Sequence, residues 1–301
     1  MKKKRYRCIF LGYLWKLARV IHNSNFVDLL AVGIEPQRKA SSDAISYCNR
    51  YGLPWFDARN IRENTQFRQY LLSGVDFIVV GAFGQILDRN ILESPRYGVL
   101  NIHPSLLPAY RGGSPIEQQI IAGERKGGVT LHWLAEEIDA GPIVTAKEVI
   151  IRQNDDYQMV LDRSIKAAEK LMRSLLGKPI ESWPRVKYQV SKPLQALRTS
   201  DDCVIDWSQD AVSINRLVLA EGWKGCVRTE LKGGNLVIFK AKAENPLGLK
   251  KVSPGTVLEV VPSPLIATGK GTLRLLKWDV ALGIRRGQVL PSSMKKIKGS
   301  V

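Results

Sequence analysis

Tyr97-Gly98-Val99-Leu100-Asn101-Ile102-His103-Pro104-Ser105-Leu106-Leu107-Pro108-Ala109-Tyr110-Arg111-Gly112-Gly113 is the stretch on which the reading of the whole chain turns. Its apolar opening reads as the end of a buried strand. Residues two apart in a strand share a face, so Asn101 and His103 project side by side. Two prolines and two glycines then stop the strand and impose an irregular turn. An amide next to an imidazole, at a strand's carboxyl end, can stabilise an oxyanion and move a proton. Taken alone, Asn-x-His is a short motif, and a capping Asn beside a core His is its commoner reading.

Outward from this stretch the pattern repeats. Apolar runs at 7–12, 28–34, 76–80 and 99–103 predict strands, and helical spacing predicts helices at 13–22 and 41–51. Alternating strands and helices, with each strand a continuous apolar run, predict a doubly wound, mostly parallel α/β sheet covered on both faces. Ligands bind such sheets at the carboxyl ends of the strands, where Asn101 and His103 fall. Gly12 follows the first strand without a Gly-x-Gly-x-x-Gly fingerprint, and no Walker loop occurs, which disfavours nicotinamide or nucleoside triphosphate chemistry. Further on, Ser114-Pro115-Ile116-Glu117 opens a helix that ends near Gly123. Residues 129–134 alternate as a strand, placing His132 on one side as a surface or pocket-rim residue. An acidic loop, Glu136-Glu137-Ile138-Asp139-Ala140-Gly141-Pro142, leads to a strand at 143–151 and a long helix at 156–176. His22, ending its helix, reads as a solvated cation.

Texture changes after residue 176. Pro179, Pro184 and Pro193 mark a linker, and the expected division is a catalytic domain at 1–180, a linker at 181–203 and a second domain at 204–301. The second domain carries a helix at 210–221 and short strands at 225–231, 235–241, 255–261, 265–268 and 272–278, with Gly233-Gly234 as a hairpin signal. This string predicts a small β-barrel of the oligonucleotide-binding type; a small sandwich would give the same pattern.

The chain's 301 residues, 45% hydrophobic and 24% charged, are those of an ordinary globular protein. No apolar run reaches the roughly 18 residues of a membrane span, so no membrane partner and a cytoplasmic location are expected. The basic start, Met1 to Arg7, is followed by a run broken at Lys16 and Arg19 without a cleavage site, and reads as a solvated lead-in rather than a signal peptide. Cys8, Cys48, Cys203 and Cys226 are scattered, which predicts reduced thiols, no disulfide framework and no metal site. The unusual figure is the net charge of +17. From residue 240 onward 12 Lys or Arg face three acids, ending in Lys295-Lys296-Ile297-Lys298, an electrostatic footprint for a polyanion such as RNA.

Taken whole, residues 101–112 resemble the folate-dependent formyltransferases, in which an Asn-x-His pair precedes a Ser-Leu-Leu-Pro-x-x-Arg-Gly loop and an Asp-x-Gly loop follows. Asp139-Ala140-Gly141 stands in that place here, between Gly128-Val129-Thr130 and Ile143-Val144. The resemblance implies transfer of a formyl group from 10-formyltetrahydrofolate to a primary amine through a tetrahedral oxyanion, without a metal. It assigns catalysis to Asn101, His103 and Asp139, with Asp139 orienting His103 or accepting its proton. It assigns folate support to Phe83, Gly84, Ile86 and Leu87 in one loop, and to Ser105, Leu106, Leu107 and Pro108 in the other. Ile205-Asp206-Trp207-Ser208 and the domain after it are similar to the family members that formylate methionyl-tRNA, which implies charged initiator tRNA as partner. Two features depart from those members: Phe10-Leu11-Gly12-Tyr13-Leu14-Trp15 replaces their first loop, and Glu35 to Ala40 lacks their basic insertion. Those departures, with Gly128-Val129-Thr130-Leu131-His132, fit members that formylate an amino sugar on a nucleotide. A purine-pathway member needs only about two-thirds of this length, and a non-catalytic RNA-binding relative would have no use for the intact Asn101, His103 and Asp139.

Overall fold

A computed structural model describes residues 5–38, 40–187, 194–231, 234–245, 252–280 and 283–292. In chain order the first part runs β1 (Tyr6–Gly12), α1 (Trp15–His22), β2 (Val27–Ile34), α2 (Ser41–Tyr51), β3 (Trp55–Asp57), α3 (Thr65–Leu72), β4 (Phe77–Gly81), α4 (Arg89–Glu93), β5 (Val99–His103), α5 (Pro115–Ala122), β6 (Lys126–Trp133), β7 (Ile143–Ile150) and α6 (Tyr157–Leu176). The second part runs α7 (Ala211–Glu221), β8 (Arg228–Leu231), β9 (Gly234–Glu244), β10 (Val257–Glu259), β11 (Leu265–Ala267) and β12 (Thr272–Val280).

The first seven strands form one sheet in the order β3-β2-β1-β4-β5-β6-β7. β1 to β5 are parallel, while β6 and β7 are antiparallel to their neighbours. The expected doubly wound, mostly parallel sheet is therefore present, with an antiparallel edge. Its inner strands are buried on both faces: every residue of β4 is buried, as are the last five of β1. That double burial is why these segments are continuous apolar runs and not alternating ones. One core gathers Phe10, Leu17, Ile21, Val79, Leu100 and Trp133 on one side of the sheet. A second gathers Ile9, Leu11, Phe56, Phe67, Ile78 and Val80 on the other.

Strand order reverses between β1 and β4, which opens a crevice beyond their carboxyl ends. Gly12 and Gly81 are register partners at that end. Gly12 has φ of +125°, and a Cβ there would lie 2.0 Å from the Gly81 carbonyl oxygen, so only glycine fits. β5 lies next to β4 and delivers Asn101 and His103 to the same edge.

Part of the expected linker is built into the first core. Trp183 is buried, donates its indole N–H to the Leu175 carbonyl at 3.1 Å and stacks on Trp133. His22 is half-buried, with Nδ1 3.0 Å from the Tyr47 hydroxyl, and so is not the free solvated cation expected at a helix end.

The five later strands form an antiparallel sheet in the order β10-β11-β12-β9-β8. Among the described residues its ladders leave β8 and β10 as edges. Trp207, Ile214, Val218, Ile238, Leu273 and Leu275 fill the core between this sheet and α7. By internal contacts the chain forms two compact units. One holds Met1–Pro115, Lys126–Ile150 and Leu161–Gln195; the other holds Ile116–Arg125, Ile151–Val160 and Ala196–Val301. Gly233 of the expected hairpin turn and the basic Lys295–Lys298 tail lie outside the described residues. Among those that are described, no helix is long and apolar enough to cross a membrane.

Candidate active site

β5 places Asn101 and His103 on one face, and the antiparallel pairing with β6 sets His132 directly opposite Asn101 and Thr130 opposite His103. The loop after β6 brings in Asp139, whose φ of 50° puts it in the left-handed region that Asp tolerates better than most residues. His103 Nδ1 lies 3.4 Å from Asp139 Oδ2. Asn101 Nδ2 lies 3.1 Å from His132 Nε2 and 3.4 Å from Asp139 Oδ1. The three side chains singled out in the sequence thus meet, and His132 joins them.

His132 was expected at the surface or on a pocket rim; it is fully buried. β6 lies between β5 and β7, and all of its residues after Lys126 are buried, so alternation along it does not separate core from solvent. Its polar residues face an internal network instead. Thr130 donates to the Ser105 carbonyl at 2.7 Å and accepts from the Leu107 N–H at 3.1 Å, which ties the Ser-Leu-Leu-Pro loop to the strand.

Carbonyl partners assign the ring protons. His103 Nε2 is 2.8 Å from the Tyr110 carbonyl oxygen, which only accepts, so Nε2 carries the proton in the neutral ring. The Nδ1 lone pair then faces Asp139. His132 Nδ1 likewise faces a carbonyl, that of Trp133, at 3.1 Å, while its Nε2 lies 3.1 Å from the Asn101 amide nitrogen and 3.5 Å from Asp139 Oδ1. The second amide hydrogen of Asn101 points to a carboxylate 3.4 Å away, too far to be held firmly.

Burial pushes the Asp139 carboxyl up, but His132, His103 and the Gly112 N–H at 2.8 Å together outweigh it and bring it to about 2. Burial holds the His103 imidazole below its ordinary value, opposed by the charge of Asp139 and the Tyr110 carbonyl. The resting pair is a neutral imidazole and a carboxylate, with a proton-accepting nitrogen between them.

Arg111, read in the sequence only as part of a loop motif, is 3% exposed. Its Nε and Nη2 donate to the Ile138 carbonyl at 3.1 and 2.6 Å, and Nη2 pairs with Glu137 at 2.7 Å. The guanidinium fork therefore clamps the backbone just before Asp139. Of the other two acids in this loop, Glu137 is occupied by this clamp and Glu136 pairs with Arg89 at the surface.

The expected folate-contacting residues fall on two loops leaving the neighbouring strands β4 and β5. Phe83 is half-buried, Gly84 exposed and Ile86 66% exposed, while Leu87 packs in the core beneath them. The Gly84 N–H is held by buried Glu35 at 2.9 Å, an anchor the sequence did not single out. In the second loop, Leu107 and Ser105 are buried, the Ser105 hydroxyl donating to the Ala109 carbonyl at 2.6 Å, and Leu106 and Pro108 are half-exposed. The accessible apolar side chains of Ile86, Phe83, Leu106 and Pro108 could wall a flat ring such as a pterin.

Residues 31–176 match the formyl transferase family and residues 198–281 its C-terminal domain. Methionyl-tRNA formyltransferase of Lysinibacillus sphaericus is 30% identical over 290 residues, 90% of either chain. The chain belongs to the folate-dependent formyltransferase family. Within it, methionyl-tRNA formyltransferase of Bacillus subtilis is 32% identical over 254 residues, 83% of this chain and 76% of that one. The same fold is seen in an N-formyltransferase from Helicobacter canadensis, crystallised with folinic acid and dTDP-3-aminofucose, at a TM-score of 0.64 and 16% identity, covering 91% of this chain and all of that one. HypX from Aquifex aeolicus shares it at a TM-score of 0.63 and 19% identity; the chain aligns with 46% of that longer protein.

Proposed function

We propose that this formyltransferase passes the formyl group of 10-formyltetrahydrofolate to the amino group of methionyl-initiator tRNA, in the cytoplasm. The observation that carries the acceptor is whole-length likeness to methionyl-tRNA formyltransferases, which runs through both matched regions. The folate would lie against the Phe83–Ile86 and Ser105–Pro108 loops and supply an activated formyl carbon.

The chain's own residues do the rest. Asn101 lends its loosely held amide hydrogen to the oxygen on which negative charge develops, an interaction of about 3–4 kcal/mol where such donors have been removed. His103 Nδ1 takes the proton shed by the attacking amine, and the adjacent Asp139 stabilises the imidazolium that results. His132 holds the Asn101 amide in the donating orientation, and Arg111 holds the loop that carries Asp139.

Charge on the second unit supports a polyanionic acceptor. Lys240 on β9 and Lys277 on β12 are both exposed and directly paired across the ladder. Like charges in that position destabilise a sheet, so an anion bound over them is favoured. Lys242 is exposed two residues along β9, and Arg285 and Arg286 are exposed beyond β12. A second reading, an amino sugar on a nucleotide carrier, draws on the missing basic insertion and on the Gly128–His132 segment. An acceptor comparison separates the two: purified protein with 10-formyltetrahydrofolate is offered charged initiator tRNA or a dTDP-amino sugar. Formylated methionyl-tRNA at the higher kcat/KM is the expected result; preference for the sugar nucleotide overturns the tRNA assignment.

A further inference from the structure

Cys203 and Cys226 are 23 positions apart in sequence, yet their Sγ atoms lie 2.6 Å apart, closer than two sulfurs rest without bonding. The backbone holds them there. Val204 bridges Arg228, the Ile205 N–H donates to the Arg228 carbonyl at 2.8 Å, and Arg228 Nη1 reaches the carbonyls of Ser200 and Cys226. Each cysteine thus lies one or two residues before this pairing, Cys203 at the end of a short 3-10 turn at Ser200–Cys203. All four cysteines are free thiols, as the sequence led one to expect; what the sequence did not show is that Cys203 and Cys226 are neighbours in space.

Glu221 completes a group that could ligate a metal, its carboxylate lying within 4.8 Å of both sulfurs. Two observations argue against that use. Two thiolates on a tetrahedral zinc, each about 2.3 Å from it, sit about 3.8 Å apart, well beyond the separation here. The Glu221 carboxylate is also already held by two cations, Arg198 at 2.7 Å and Lys224 at 2.8 Å.

We propose that Cys203 and Cys226 are the site of an intramolecular disulfide, formed by exchange with a small-molecule disulfide such as oxidised glutathione. Cys226, the more exposed of the two, attacks as thiolate, bonding to one glutathione sulfur and expelling the other glutathione as thiolate. Cys203 then loses its proton and bonds to the Cys226 sulfur, breaking the mixed disulfide and expelling the second glutathione. The two protein protons end on the two glutathione thiols, and the protein is oxidised by two electrons. Burial pushes the Cys203 thiol up, so this second step is the slow one and speeds up with rising pH.

The test uses the full chain, incubated with oxidised glutathione and analysed by intact mass and non-reducing peptide mapping. The expected product has lost two hydrogens, joins the Cys203 and Cys226 peptides, reverts with a dithiol and melts at a higher temperature, since the crosslink restricts the unfolded chain. Cys203→Ser should stop at a glutathione adduct on Cys226. A parent chain that stops at that adduct, joins a different pair, or takes up one equivalent of zinc that shields both thiols overturns the proposal. The parent chain alone decides the matter if the serine variant fails to fold.

Discussion

His103 keeps its proton on the nitrogen facing Tyr110 and leaves the other open beside Asp139, while burial governs its pH behaviour. Burial lowers its titration, so the base form persists below the ordinary pH of about 6.5, and the acid limb of the rate profile should lie below that value. Asp139→Asn removes the charge that raises the imidazole, so the acid limb should move further down while turnover falls at least about tenfold near pH 7. An unchanged profile and turnover would make Asp139 a loop residue. The same variant reports on stability. A buried carboxyl held at about 2, against 3.8 for an ordinary Asp, contributes about 2 kcal/mol that is complete above pH 3.8 and lost as pH falls through about 2. Urea denaturation should therefore show parent and Asp139→Asn converging in stability at the acid end of that window; a constant gap contradicts the assignment. His132→Ala should lower kcat about tenfold with little change in folate KM, because it frees the Asn101 amide to turn; a rise in KM alone would place His132 in binding. Asn101, His103 and Asp139 were legible because motif residues and their spacing survive in a linear string. His132 was not, because its role comes from a cross-strand partner that alternation along β6 alone does not reveal.

At the scale of elements, the loop before Asp139 depends on one guanidinium. Arg111→Ala leaves the Ile138 carbonyl without its two donors and should cost about 2–3 kcal/mol in a denaturant titration and more than tenfold in turnover. Arg111→Lys keeps the charge without the fork and should recover stability only in part. Parent-like values for the alanine variant would sever the link between Arg111 and the Asp139 loop. Elements with strong periodicity or caps were readable: α2 and β5 fall on the residues expected from their pattern. β3 and α4 were missed because they are three and five residues long, too short for a period to stand out; α3, as long as α1, buries only Phe67 and so carries no clear apolar stripe. Their local signals were present nonetheless. Asn64 caps α3 by accepting from the Phe67 N–H at 2.7 Å, and Asp88 caps α4 by accepting from the Ile91 N–H at 3.1 Å.

For the whole molecule, the excess of positive charge and the acceptor are one question. If phosphates settle over the exposed lysines of the second unit, affinity for charged tRNA should fall at least about tenfold between roughly 50 and 200 mM salt. Neutralising Lys240, Lys242 and Lys277 together should weaken binding and flatten that slope, while formyl transfer to a small amine persists. A triple variant with parent affinity and slope would move the RNA elsewhere; Lys250 and Lys251 of the basic stretch after residue 240 lie outside the described residues. The layout of the sheet followed from its runs of buried residues. The pairing of Lys240 with Lys277 did not, since it depends on a register shift at Leu276 that no composition count contains.

In the proposed reaction the Asn101, His103 and Asp139 group moves a formyl group from folate to an acceptor amine. Its most direct test follows an isotopically labelled formyl group from 10-formyltetrahydrofolate in a single turnover with methionyl-initiator tRNA, comparing the parent chain with His103→Ala. The label should appear on the methionyl amine in step with tetrahydrofolate release, and His103→Ala should slow the transfer at least about a hundredfold without loss of folate binding. Transfer by a folded His103→Ala chain at the parent rate, or release of tetrahydrofolate with the label left in water as formate, would contradict it.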